Sequence, residues 1–133
     1  MNMKQLHVVG GAIRRGDRVL VARRSATMAH PNLWEFPGGK VEQGEDPATA
    51  LARELAEELS VDARVGDAIG RSLFETADLV ITLDVYWCDF AADATPIAAE
   101  HSELQWATTD ELLTLEWAPA AVPIVTLIVV GTP

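Results

Sequence analysis

The chain has 133 residues, 49% of them hydrophobic and 23% charged, with a formal net charge of −10. That length carries one hydrophobic core, and a single domain is expected over residues 1–133. A general nucleic-acid surface is disfavoured because it needs clustered Lys and Arg. Here all ten basic residues lie at or before Arg71, while ten of the twenty acidic residues follow it.

Leu6 to Ile13 reads as a strand, Arg14 to Asp17 as a turn, and Arg18 to Arg24 as the partner strand. Ser25 to Asn32, with His30-Pro31, is a loop. Trp34 to Phe36 is a short strand leading into Pro37-Gly38-Gly39, a turn whose backbone can approach a ligand because no Cβ intervenes. Asp46-Pro47 is a helix start, with Asp as N-cap and Pro at the first helical position. Ala48, Leu51, Ala52, Leu55 and Leu59 form the apolar stripe of that helix.

Further on, Ser72 to Glu75 is a predicted strand. Leu79 to Phe90 is another, with Leu79, Ile81, Leu83, Val85 and Trp87 alternating onto one face. Leu104 to Trp106 is short and extended, and Thr109 is the expected cap of a helix from Asp110 to Leu115. From Pro119 the residues allow two readings. Val125, Ile128, Val129 and Val130 are β-branched and suit a strand, whereas Ala120-Ala121-Val122-Pro123 looks like a helix opening. There is no repeat, low-complexity tract or linker.

The chemistry concentrates on the first helix. Glu54, Glu57 and Glu58 fall at i, i+3 and i+4, which puts three carboxylates on one stripe. Like charges so placed destabilise a helix by a few tenths of a kcal/mol per pair. A solvated Glu-rich face is the common explanation of such a run. Three features argue instead for a cation site: the helix start, the separate apolar stripe, and the glycine turn just upstream. Clustered hard oxygen ligands suit Mg²⁺ or Mn²⁺, ions that commonly hold substrate phosphates.

Gly39, five residues, Glu45, seven residues, then Arg53-Glu54-Leu55-Ala56-Glu57-Glu58 and Val61 resemble the Nudix box, G-x5-E-x7-R-E-U-x-E-E-x-G-U, where U is aliphatic. One defined position departs: the last glycine is Ser60, which would cost about 1 kcal/mol if it takes positive φ. The flanking LWEFPGGKVE stretch, Leu33 to Glu42, is similar to the MutT-like branch, which acts on nucleoside triphosphates. The resemblance implies an α/β Nudix fold, a mixed sheet between helices, and makes the segment after Pro119 a helix.

It also implies hydrolysis of a nucleoside triphosphate to monophosphate and pyrophosphate, with Mg²⁺ (or Mn²⁺) as cofactor. Carried over position by position, Glu57 and Glu58 would be the main metal ligands. Glu54 would be a further ligand or would activate water, and the Gly38 carbonyl would complete the metal's sphere. Arg53 would orient the carboxylates, and Glu45 would tie the glycine loop to the helix. Glu100, by its spacing from Trp106, matches the segment that brings one more carboxylate, as metal ligand or general base; a surface acid is the plain alternative, with Glu103 the next candidate.

Arg24 and Lys40 would contact phosphate, although an exposed solubilising charge explains Lys40 equally well. Trp34 would stack on a base or belong to the core. His7, His30 and His101 form no zinc pattern. Ala121 corresponds to the asparagine that reads oxidised guanine in such enzymes, and alanine has no amide for a purine edge. Oxidised dGTP or dGTP stays narrowly favoured over CTP and other pyrimidine triphosphates. A nucleotide sugar is less favoured in so short a chain, and a silent nucleotide-binding module is disfavoured by the intact glutamates.

The single Cys88 leaves no internal disulfide, which fits a reducing compartment. Met1-Asn2-Met3-Lys4 opens no basic, apolar leader, and the longest apolar run, Val122 to Val130, is about half of the ~20 residues a membrane span needs. The expectation is a cytoplasmic protein, monomer or homodimer, with no membrane or nucleic-acid polymer as partner.

Overall fold

A computed structural model describes residues 3–131, so Met1 and Asn2 of the opening segment lie outside the described residues. The first strand, β1 (Lys4–Arg15), turns at Gly16, which takes φ +60°, into β2 (Arg18–Arg23). β3 (Trp34–Glu35) and β4 (Gly38–Lys40) are short, and helix α1 spans Pro47–Leu59. β5 (Arg64–Glu75) and β6 (Leu79–Asp89) form a long antiparallel pair. β7 (Glu103–Ala107), α2 (Thr109–Leu112), a 3₁₀ turn (Pro119–Ala121) and α3 (Val122–Gly131) complete the order.

β1 and β6 run parallel, from Lys4 opposite Leu79 to Ile13 opposite Cys88; among the described residues the other strand pairs are antiparallel, and an isolated parallel bridge joins Trp34 to Trp117. Side chains alternate across these two central strands. Ala12 and Val85 face Ile124, Val125 and Ile128 of α3, while Val9, Ile13 and Cys88 face Leu51, Leu55 and Leu59 of α1. The mixed sheet therefore lies between helices, as the resemblance implies.

Several local expectations need correction. Pro37-Gly38-Gly39 is more than a turn, because Gly38–Lys40 pairs with β1. β5 begins at Arg64, eight residues before the predicted strand at Ser72; Gly66, Asp67 and Gly70 mask its pattern, and its register slips between Val65 and Gly70. α2 is capped by Thr108, whose hydroxyl accepts from Glu111 N–H while the Glu111 carboxylate takes Thr108 N–H. This reciprocal box starts the helix one residue earlier than expected, and it ends sooner, at Leu112. Of the two readings after Pro119, the helix is the one observed. Among the described residues no helix is long and apolar enough to cross a membrane.

Candidate active site

Two glycines let β4 lie against its neighbours. A Cβ on residue 38 would overlap the Val9 carbonyl oxygen, and one on residue 39 would overlap the Glu54 carboxylate. With Val9 opposite Gly39 in the ladder, the Gly38 N–H turns away from β1 and donates to Glu58 Oε2 at 3.3 Å. The group of Gly38 that meets a glutamate is thus its N–H, on Glu58.

Asp46 accepts from Thr49 N–H and Pro47 opens α1, so the helix starts where its sequence says. Its charged side is organised by Arg53. The Nε and Nη2 atoms of Arg53 donate to the two oxygens of Glu45 at 2.8 and 2.9 Å. Its Nη1 donates to Glu54 at 2.9 Å and to Glu57 at 3.4 Å, and its Nη2 also reaches the Lys40 carbonyl at 3.1 Å. The Arg53 fork, helped by the Glu42 N–H, holds the Glu45 carboxyl down at about 2. These same bonds raise Arg53 further above its ordinary value.

Glu58 is the contrasting group. Burial pushes its carboxyl up to about 7, the charges of Glu35 and Glu54 add to the rise, and His101 with the Gly38 N–H oppose it. A second network lies beside it. Arg24 Nη1 donates to Glu35 Oε1 at 2.7 Å, and the other Glu35 oxygen lies 2.7 Å from His101 Nε2. Although burial works against both charges, this pairing holds Glu35 below and His101 above their ordinary values.

These groups border a cleft of about 460 Å³. Glu58, Gly38, Gly39 and Lys40 line it, together with Arg24, Glu35, Glu100 and His101. The sheet face adds Leu6, Val8, Ile81 and Leu83, and Ala118 to Ala121 form a wall of small side chains. Of the residues singled out from the sequence, Arg24, Gly38, Gly39, Lys40, Glu58 and Glu100 therefore meet in one place. Glu54 touches Gly39, and Glu57, its side chain 60% exposed, pairs with Arg53; neither Glu57 nor Arg53 lines the cleft. Of the two readings of Trp34, stacking on a base or belonging to the core, the core is where it lies: it is buried beside Phe36 and Trp117 and is not among the residues lining the cleft. Its backbone is fixed there by bonds to Glu116 and Ala118.

Glu35 and His101 were missed. They stand 66 positions apart, and the only local signals were their neighbours, Trp34 and Glu100. Among the described residues no three His, Cys, Asp or Glu side chains converge closely enough to hold a metal ion. Arg53 draws Glu54 and Glu57 to itself while Glu58 turns to Gly38. The donor chemistry still fits a hard divalent ion. Glu58 is a partly desolvated carboxylate near two others, and a cation would relieve that repulsion.

A glycine strand laid against a glutamate-bearing helix, in a mixed sheet between helices, defines a class of hydrolase. Residues 4–128 match the NUDIX domain, and the chain belongs to the Nudix family of hydrolases. It is 39% identical over 123 residues to the CTP pyrophosphohydrolase of Escherichia coli K12, covering 92% of this chain and 90% of that protein. To the 8-oxo-dGTP diphosphatase of the same organism it is 32% identical over 124 residues, covering 92% and 95%. The solution structure of MutT, a Nudix hydrolase from methicillin-resistant Staphylococcus aureus 252, superposes with a TM-score of 0.81 at 38% identity, over 98% of this chain and 99% of that one.

Proposed function

We propose that this chain, acting as one domain, hydrolyses nucleoside triphosphates to a monophosphate and pyrophosphate. One observation carries the reading. A single cleft joins the Gly38–Lys40 strand, Glu58 and Arg24 to an apolar sheet face of Leu6, Val8, Ile81 and Leu83. Such a cleft offers one region to a charged phosphate chain and another to a flat base. The similarity to proteins named CTP pyrophosphohydrolase and 8-oxo-dGTP diphosphatase supports the same class of substrate.

In this reading water attacks phosphorus in the α–β bridge, that P–O bond breaks, and the water's proton passes to a base. Positioning and charge neutralisation supply most of the acceleration in phosphoryl transfer. Glu54, Glu57 and Glu58 would hold Mg²⁺ or Mn²⁺, which when bound offsets charge on the phosphates. Arg53 orients Glu54 and Glu57 and ties Glu45 to the helix. Arg24 and Lys40 take phosphate oxygens, and Glu100 is within the cleft to accept a proton. A cytoplasmic setting, where nucleotides are abundant, suits the free, buried Cys88.

Oxidised dGTP or dGTP is the leading substrate. Ala121 favours a second reading, since it lines the cleft with no amide to meet a purine edge, and this points to CTP or another pyrimidine triphosphate. The test is a panel of oxidised dGTP, dGTP, CTP, dCTP, ATP and ADP-ribose with Mg²⁺, with products resolved. Monophosphate plus pyrophosphate, abolished by chelation, is the expected result, and the fastest substrate names the base. Nucleotide bound with no turnover of any member would replace the enzyme by a nucleotide-binding module.

A further inference from the structure

We infer that His101 and Glu35 are positioning residues that hold the Arg24 guanidinium in the cleft for the substrate's phosphates, an inference that rests on the triphosphate reading above. At Ala22, β2 is flanked by Glu35 of β3 on one side and Leu104 of β7 on the other. Two bonds then fix the segment before β7. Ala99 N–H donates to the Glu58 carbonyl at 3.2 Å, and Ser102 N–H donates to the Arg23 carbonyl at 3.0 Å. His101 lies between these two anchors, one on α1 and one on the residue next to Arg24.

The His101 side chain is 2% exposed, and its Nε2 lies 2.7 Å from Glu35 Oε2. Glu35 thereby has one oxygen on His101 and the other on Arg24 Nη1, also at 2.7 Å. Arg24 Nε donates in turn to the Ala29 carbonyl. Among the described residues the remaining Nη2 of Arg24 has no protein partner, which leaves one edge of the fork for a phosphate oxygen. An arginine this long is otherwise free in several rotamers, and holding it beforehand lowers the ordering cost of binding. His101, its side chain almost wholly buried at the cleft wall, is thus placed to act on Arg24 through Glu35.

The competing account is that His101 serves Glu58, which it also faces, or merely fills the core. The experiment compares Arg24→Ala, His101→Phe, His101→Gln and Glu35→Gln, with kcat and KM for the fastest triphosphate of the panel and binding of its non-hydrolysable α,β-methylene analogue. The His101→Phe and Glu35→Gln variants are each expected to raise KM and weaken analogue binding by about fivefold to tenfold, with kcat within about twofold. The His101→Gln amide can still donate to Glu35 and is expected to recover binding to within about twofold of the parent.

In an Arg24→Ala background the His101→Phe and Glu35→Gln changes should add less than about twofold, because their effect runs through Arg24. Equal penalties with and without Arg24 would overturn the inference, as would a fall in kcat with KM unmoved. If His101→Phe does not fold, Glu35→Gln carries the same cycle from a partly exposed position. The wild-type protein separates the two claims: absence of turnover defeats the triphosphate reading, whereas the cycle, read as binding of whichever α,β-methylene triphosphate the wild type holds most tightly, judges His101 independently.

Discussion

A Cβ on residue 39 would fall on the Glu54 carboxylate, so Gly39 and Glu54 are coupled at contact distance between strand and helix. The atoms in the way belong to the far end of a flexible side chain. Gly39→Ala should therefore displace Glu54 without unfolding the protein. The expected outcome is a loss of roughly 10- to 100-fold in kcat/KM with stability within about 1 kcal/mol of the parent. Gly38→Ala is the contrast, because its Cβ meets the Val9 backbone, which cannot step aside. It should lower stability by about 3 kcal/mol, and chemical denaturation of the two variants checks the difference.

Glu54, Glu57 and Glu58 each lose charge but little volume on conversion to glutamine. If they hold the ion that neutralises the phosphates, each conversion should lower kcat by roughly 10³, about 4 kcal/mol of transition-state stabilisation. Chelation should stop the wild type altogether, and added Mg²⁺ should restore it. Equal rates for Glu57→Gln and the wild type would remove Glu57 from the metal site and leave it as an exposed partner of Arg53.

Glu58 and Glu45 should respond to pH in opposite senses. The folded value of Glu58, about 7, lies above its ordinary 4.5, so the folded state binds the proton more tightly than the unfolded chain. Its stabilising contribution is full below 4.5 and is lost as pH rises through about 7. In the metal-free protein Tm should therefore fall between pH 5 and pH 8, and the Glu58→Gln variant should lack that slope. Glu45 lies at about 2, below its ordinary 4.5, so its contribution is present above 4.5 and disappears as pH falls through about 2. The difference in Tm between the wild type and Glu45→Gln should narrow only in that acidic window. Mg²⁺ should oppose the Glu58 slope, since a divalent ion displaces the proton.

The same contrast between local and distant partners explains what could be read from the chain. α1 was legible because its cap, its first proline, its apolar stripe and its carboxylates all lie within fourteen residues of one another. β6 was legible from its alternation. β4 was not, because Gly38–Lys40 becomes a strand only through β1, some thirty residues away. The Glu35–His101 pair was hidden for the same reason, and Trp34 could not be assigned until the strand carrying it was seen packed against Trp117. Local chemistry reveals a motif, while a cleft is assembled by pairing across the sheet.

Ser60 ends α1 in the left-handed region, at φ 57° and ψ 40°, while its N–H bonds the Ala56 carbonyl. A side chain in this conformation is strained, and glycine adopts it without penalty. Ser60→Gly should stabilise the protein by about 1 kcal/mol and raise Tm by roughly 3 °C. Ser60 does not border the cleft, so kcat and KM should stay within about twofold. A fall in Tm would mean that the serine hydroxyl contributes a bond worth more than the strain.

Ala121 offers the direct test of base choice. It is 2% exposed, ends the 3₁₀ turn from Pro119, and lines the cleft between Ala120 and the start of α3. Ala121→Asn would add a carbonyl and an amide N–H₂ to a wall now made of small apolar groups. A purine edge can pair with such an amide and gain about 1 kcal/mol, whereas a pyrimidine placed against the sheet face gains less. The ratio of kcat/KM for oxidised dGTP over CTP should therefore rise by roughly fivefold to tenfold. An unchanged ratio would show that position 121 does not face the base, and selectivity would then have to come from other residues lining the cleft. A fall in both rates with the ratio constant would show instead that the larger side chain blocks the cleft, and Ala121→Ser, with a hydroxyl in less volume, would repeat the comparison.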